Sequence, residues 1–345
     1  MNFMKRNWSG ILVCLVIAIP SWILGKIFPV IGGAVIAIIA GMIVAMFWND
    51  KGKAEAGIKW TSKMILQTAV VLLGFGMNLG VIFQTGKQSL PIIVCTITTS
   101  LVIAWILHRL LKVHTNTAIL VGVGSSICGG SAIAATAPVI DADDDEIAQS
   151  IAVIFFFNVL AAIFFPLLGK AIGFDTVNGE AFGIFAGTAI NDTSSVTAAA
   201  STWDSMWNLG SETLNKAVTV KLTRTLAIIP ITFGLSLLQA RKSVKAGKQA
   251  AKFSLKKAFP MFIFYFVLAA IFTTVCVRMG MDVEVFQPVK ELSKFLIIMA
   301  MAAIGLNSNI IKLIKTGGKP IVVGASCWCG ITIVGLVMLH IMKIW

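Results

Sequence analysis

Long apolar runs, separated by short polar links, recur from one end of the chain to the other. A helix that crosses a bilayer needs about 20 predominantly apolar residues. Eleven stretches meet or approach that length: 10–28, 30–48, 62–83, 90–111, 117–138, 147–168, 181–200, 214–238, 258–279, 293–311 and 319–342. The links between them leave no room for a soluble domain. The pattern predicts an all-α polytopic membrane protein, with residues 1–345 forming a single integral membrane domain.

Two of these stretches are apolar enough for the bilayer yet poorly suited to a continuous helix. Gly124-Ser-Ser-Ile-Cys-Gly-Gly-Ser-Ala-Ile-Ala-Ala-Thr-Ala137 and Gly187-Thr-Ala-Ile-Asn-Asp-Thr-Ser-Ser-Val-Thr-Ala-Ala-Ala200 are rich in glycine, serine and threonine. Glycine costs a helix about 1 kcal/mol relative to alanine, and serine competes for backbone bonds. Unwound backbone at membrane depth survives only where protein buries it or where it lines a watery cavity. A packing seam and a binding site both fit one such stretch. The repetition favours the site, because Gly124, Ile127, Ser131, Ala135 and Ala137 align without gaps on Gly187, Ile190, Ser194, Ala198 and Ala200. Paired broken segments that face each other at the midplane are a transporter device. Segments 117–138 and 181–200 are therefore expected to be the broken core segments.

A second echo joins the third and tenth segments. Gly76-Met77-Asn78 is followed by Pro91, and Gly305-Leu306-Asn307 by Pro320 at the same spacing. The two copies run in opposite directions, which predicts an inverted-topology repeat between 64–111 and 293–342. Segments five and seven are parallel if each spans fully. They become inverted if each is a re-entrant hairpin entering from its own side. The order of the units also differs between the halves, so the repeat is permuted. The sequence leaves hairpin and full span open.

Composition supports the membrane reading. The chain is 57% hydrophobic and 12% charged, with mean hydropathy +0.91, against roughly 25% charged residues in soluble domains. The net charge of +13 does not point to nucleic acid, because the basic residues sit in alternate short links. Lys5 and Arg6, then Lys51, Lys53, Lys59 and Lys63, then Arg109 and Lys112, then the run from Arg241 to Lys257, then Lys312, Lys315 and Lys319 mark one side. The positive-inside rule places that side and the N-terminus in the cytoplasm, with the C-terminus outside. The expected setting is the cell inner membrane.

Motifs for other chemistry are missing. No C-x-x-C pair occurs among the six cysteines, so neither a disulfide framework nor a zinc site is indicated. The acidic run Asp141–Glu146 fails the calcium-loop pattern, with Glu146 at the glycine position and Ala152 at the final glutamate position. It reads instead as a cap on the sixth segment. His108, His114 and His340 are scattered, and no hydrolase motif is present. No enzyme activity, cofactor or metal is expected.

Charge inside the membrane is the remaining signal. Lys221 and Arg224 share one helical face, and Lys221 lies about 9 Å into its span at 1.5 Å per residue. A cation there costs at least about 2.5–3.5 kcal/mol. Two readings remain open: snorkelling or pairing with Asp192, and holding an anionic substrate. Asp192 can bind a coupling proton or sodium ion, form a structural salt bridge, or cap a helix at the break. Asn158, alone after Phe155-Phe156-Phe157, predicts an interhelical hydrogen bond. Half-helices that begin at mid-membrane present free N–H groups, and hydroxyls add donors. The candidate substrate-binding set is thus Ser125, Ser126, Cys128, Gly129, Gly130, Ser131, Asn191, Thr193, Ser194, Lys221 and Arg224, with Asp192 for the coupling ion.

The runs Gly124–Ala135 and Gly187–Val196, with Val220-Lys221-Leu222-Thr223-Arg224 and the Gly305-Leu306-Asn307 segment before Gly317-Gly318-Lys319-Pro320, resemble the YeiH family of sulfate exporters. The resemblance covers almost the whole chain. That family is grouped with the cation–proton-antiporter and anion-transporter superfamily. The resemblance implies an inverted-repeat fold in which a core holding two broken, crossing segments moves against a panel of other helices. It also implies export of sulfate or an organosulfonate. The expected function is a secondary active transporter of a small anion by alternating access, with a cation/proton antiporter using Asp192 or an anion channel as alternatives. Expected partners are a small inorganic or organic anion, H+ or Na+ as coupling ion, the lipid bilayer, and a second copy in a homodimer, with no nucleic acid.

Overall fold

A computed structural model describes residues 3–28, 32–48, 50–75, 77–228, 230–235, 238, 261–307 and 310–345. The basic run from Arg241 to Lys257 lies outside the described residues. Among those described, regular structure is helical throughout. Among the described residues six helices are long and apolar enough to cross a membrane, within 7–27, 79–111, 145–172, 212–235, 261–278 and 318–341. Several of the other predicted segments are built from shorter helices.

The chain opens with α1 (Phe3–Ile27) and α2 (Gly33–Phe47). There follow α3 (Glu55–Trp60), a π turn (Thr61–Ile65) and α4 (Leu66–Gly74), joined end to end. The predicted 62–83 segment is thus cut at Phe75–Asn78. Asn78 caps the next helix, its side chain accepting the Gly80 N–H at 2.8 Å. That helix, α5 (Leu79–Leu111), is 33 residues long and absorbs the expected link around Lys87. At 1.5 Å per residue it reaches about 50 Å, longer than an apolar core of about 30 Å.

Two halves of the bundle follow from the packing. One body contains α1 to α4 with α12 (Met261–Arg278) and α13 (Gln287–Asn307). Here α2 and α13 lie almost backbone to backbone: a Cβ at Gly41 would sit 2.5 Å from the Ala302 carbonyl oxygen and 3.0 Å from Gly305 Cα. Small residues permit that approach in membrane helices. Asn307 reaches Ser62 at 3.5 Å from the end of α13. The second body contains α5, α6 (Thr115–Ser126), α7 (Gly130–Thr136), α8 (Asp144–Ile172), α9 (Glu180–Ala189), α10 (Thr193–Trp207), α11 (Glu212–Thr225) and α14 (Ile310–Ile341). Helix α14 is kinked at Gly318 (φ 46, ψ −141), and it packs on α5 with the Cys327 thiol donating to the Ser100 carbonyl at 3.5 Å.

The structure settles the path of the two small-residue stretches. Asn116, at the start of α6, donates to Glu146 at the start of α8 at 3.1 Å, and His114 also contacts Glu146. Glu146 further accepts the Asp143 N–H at 3.0 Å, which is the acidic cap expected there. The chain between therefore dips in and returns to the face it left. The same holds on the opposite face. Glu180 at the start of α9 accepts from Lys216 at 3.1 Å, and Asp204 near the end of α10 accepts the Thr213 and Leu214 N–H groups, each at 2.9 Å. Phe182 and Trp203 stack across this second hairpin with centroids 4.3 Å apart. Each stretch is a helix–break–helix hairpin, and they enter from opposite faces.

This geometry has a direct test. In a cysteine-free background, Asp143→Cys should label with a membrane-impermeant reagent from the same side as Asp50→Cys. Asp175→Cys should label from the other side. Labelling of Asp143→Cys on the Asp175 side would exclude the first hairpin.

Candidate functional site

Each break has a local cause. In the first hairpin the backbone turns at Ile127-Cys128-Gly129, and Gly129 adopts φ +69, ψ −127. Side chains rarely enter that region, so glycine is required. In the second, Ile190 and Asp192 are extended, with ψ of 135 and 141. Asp192 then caps α10, accepting the Ser194 N–H at 3.1 Å and also the Ser194 hydroxyl.

A helix ending in mid-membrane exposes carbonyls with no partner and a negative dipole end. Both α6 and α9 end inside the bundle, and both ends face α11. Lys221 Nζ donates to the Ile127 carbonyl at 2.5 Å and to the Ile190 carbonyl at 3.1 Å. Arg224 Nε donates to the Ser126 carbonyl at 2.8 Å, and an Nη2 proton goes to the Ser125 carbonyl at 2.9 Å. Its Nη1 group reaches the Thr188 carbonyl and, at 3.4 Å, that of Ile190. Both side chains are fully buried. The rigid guanidinium fork can serve several acceptors at once, and bonds from a charged donor are the stronger kind. One cationic pair thus caps both half-helices and clamps the two hairpins together. Among the described residues no ion pair joins either cation to Asp192.

The opposite side of the breaks is held by Asn158 on α8. Its Oδ1 accepts the N–H groups of Asn191 and Asp192, each at 3.2 Å. The interhelical bond expected of this residue is present, and it fixes the second break rather than joining two regular helices. A Cβ at Gly129 would lie 3.5 Å from Asn158 Nδ2 and 3.5 Å from Asp192 Cβ. The two breaks are therefore adjacent.

The sequence-selected residues divide into two groups. Gly130, Asp192 and Thr193 are half-buried and Ser131 is exposed, so these can meet a ligand. Ser125, Ser126, Cys128, Gly129, Asn191 and Ser194 are buried. The Ser126 hydroxyl is turned to the Val123 carbonyl at 3.0 Å, and Asn191 Oδ1 faces Arg224 at 3.4 Å. What sequence reading missed is the carbonyl cluster at Ser125, Ser126, Ile127, Thr188 and Ile190. No sequence pattern marks it, because every residue carries a carbonyl.

A cavity of about 330 Å³ opens between the two bodies at the face where α1 ends. Trp22, Lys26 and Lys294 line it from one body, and Ser201, Asp204 and Ser205 of α10 from the other.

Such a molecule is a multi-pass helical membrane protein organised around two opposed, broken hairpins. The chain belongs to the family described as Conserved hypothetical protein 698, whose profile matches residues 9–324. It is 58% identical over 346 residues to a UPF0324 membrane protein of Streptococcus mutans serotype c, covering 100% of both chains. A UPF0324 membrane protein of Streptococcus pyogenes serotype M18 is 56% identical over 340 residues, covering 99% of this chain and 98% of the relative. One from Fusobacterium nucleatum is 53% identical over 352 residues, covering 99% and 100%.

Proposed function

We propose that the protein is a secondary active transporter of a small anion such as sulfate or an organosulfonate, exporting it across the inner membrane with the N-terminus in the cytoplasm. The observation that carries this reading is the charge at the paired breaks. Counted by formal charge, Lys221 and Arg224 against Asp192 sum to one excess positive charge. Two helix C-termini and two helix N-termini meet there, so their dipoles offset one another. A buried site with a positive remainder favours an anion. The helix ends and hydroxyls then bind it, while the cations act at one remove through the hairpins they clamp.

Alternating access fits the two-body packing. The body with both hairpins moves against α1–α4, α12 and α13, and the cavity beside Ser201 and Ser205 is the entrance from one face. In this reading α4–α5 and α13–α14 are the inverted repeat units, on the matched spacing of Gly76-Met77-Asn78 to Pro91 and Gly305-Leu306-Asn307 to Pro320. A channel is distinguished by the absence of saturation and counterflow.

A cation/proton antiporter is the competing reading, favoured by the half-buried Asp192 carboxylate at the break. One experiment separates the two. The purified protein is melted in sulfate, thiosulfate, taurine or sulfoacetate at constant ionic strength, with sodium exchanged for choline in a parallel series. A ligand at 100 times its dissociation constant stabilises the fold by about 2.7 kcal/mol. Selective stabilisation by sulfur oxyanions is the expected result. A sodium-dependent shift with no anion dependence would move the assignment to the antiporter.

A further inference from the structure

We propose that Asn158 is a direct ligand of the transported anion, donating from Nδ2 into the space between the two breaks. The inference rests on the anion-transport reading and adds a contact to it. The Asn158 side chain is 2% exposed. Its Oδ1 is committed to two backbone N–H groups. Those two donors also fix which way the amide points, because a flipped amide would set donor against donor. Nδ2 is left buried with no hydrogen-bond partner. A buried donor without a partner costs about 1–3 kcal/mol, and that cost is recovered when an acceptor arrives.

The surroundings fit an acceptor. Nδ2 lies 3.5 Å from the position a Cβ on Gly129 would fill, and that position also adjoins Ile154 Cγ2 at 3.4 Å and Asp192 Cβ, at the N-terminus of α10, at 3.5 Å. Gly130 has open space where its Cβ would be, and Ser131 is exposed, so the gap is reachable. An amide with its oxygen occupied has only N–H groups to offer. It can bind an oxyanion oxygen and has nothing for a metal cation. The ligand class is therefore an oxyanion, with Asn158 supplying selectivity for oxygen acceptors.

Asn158→Asp separates this role from a structural one. The aspartate keeps an oxygen to accept the Asn191 and Asp192 N–H groups, removes the free donor and adds a carboxylate, so Ser131→Asp, which adds the same charge and leaves Asn158 in place, is titrated beside it and should lose less. The expected result is a folded protein whose sulfate-dependent melting shift needs at least ten times more sulfate, or is lost. An unchanged sulfate titration in a folded Asn158→Asp variant overturns the inference while leaving anion transport standing. Absence of stabilisation by any oxyanion in the unsubstituted protein overturns both. A second measurement keeps Asn158 intact in case the variant does not fold. Ser131→Cys, compared with the parent protein, should react with a thiol reagent more slowly in sulfate than in choline chloride, at the concentrations that stabilise the fold. Equal rates there place the anion elsewhere and sink the assignment.

Discussion

Arg224→Ala should lower thermal stability by on the order of 4 kcal/mol without any anion present. The guanidinium is the side-chain partner of the Ser125, Ser126 and Thr188 carbonyls. Each buried acceptor left unpaired costs about 1–3 kcal/mol, and no water at that depth can replace the bond. Both hairpins lose part of their shared anchor. Arg224→Lys should recover only part of the loss, because a point charge on a flexible stem cannot span three carbonyls as a planar fork does. Melting curves in detergent, with and without sulfate, read this directly. If Arg224 served the substrate rather than the fold, the alanine variant would melt normally without anion and lose only the sulfate-dependent increment.

Asp192→Asn should do the reverse. Asparagine is as good an N-cap as aspartate, so α10 should keep its start, and the melting temperature should move by no more than about 3 °C, within roughly 1 kcal/mol. Transport in proteoliposomes, by contrast, should fall at least 100-fold, and its dependence on a proton or sodium gradient should disappear. The half-buried carboxylate beside the reachable Gly130 and Ser131 is what supports coupling at this residue. Full gradient-driven transport by Asp192→Asn would remove Asp192 from the coupling step and leave the anion site without an internal carboxylate role.

Membrane class, the position of the broken stretches and the unusual status of Lys221, Arg224, Asp192 and Asn158 were all legible in the sequence. They are local properties: apolar run length, small-residue content, and charge where charge is costly. Helix extent was less legible. The link around Lys87 reads as a loop by polarity, yet it is helical, because Asn78 caps the helix nine residues earlier and the backbone continues unbroken through Lys87. Hairpin or full span could not be chosen from sequence, since each stretch has the length for one crossing or for two half-crossings.

By itself, then, the sequence determined that this chain lives in a bilayer, and that two stretches with a few polar side chains are where its helices must give way. The tertiary structure alone decided what those side chains face. For Lys221 and Arg224 the sequence leaves snorkelling, pairing with Asp192 and anion binding open, and the structure sets the ends of α6 and α9 against them. Their partners are main-chain carbonyls, which every residue carries and no sequence pattern can single out. Only the approach of segments some 30 to 99 residues apart turns those anonymous groups into a binding partner for a buried charge.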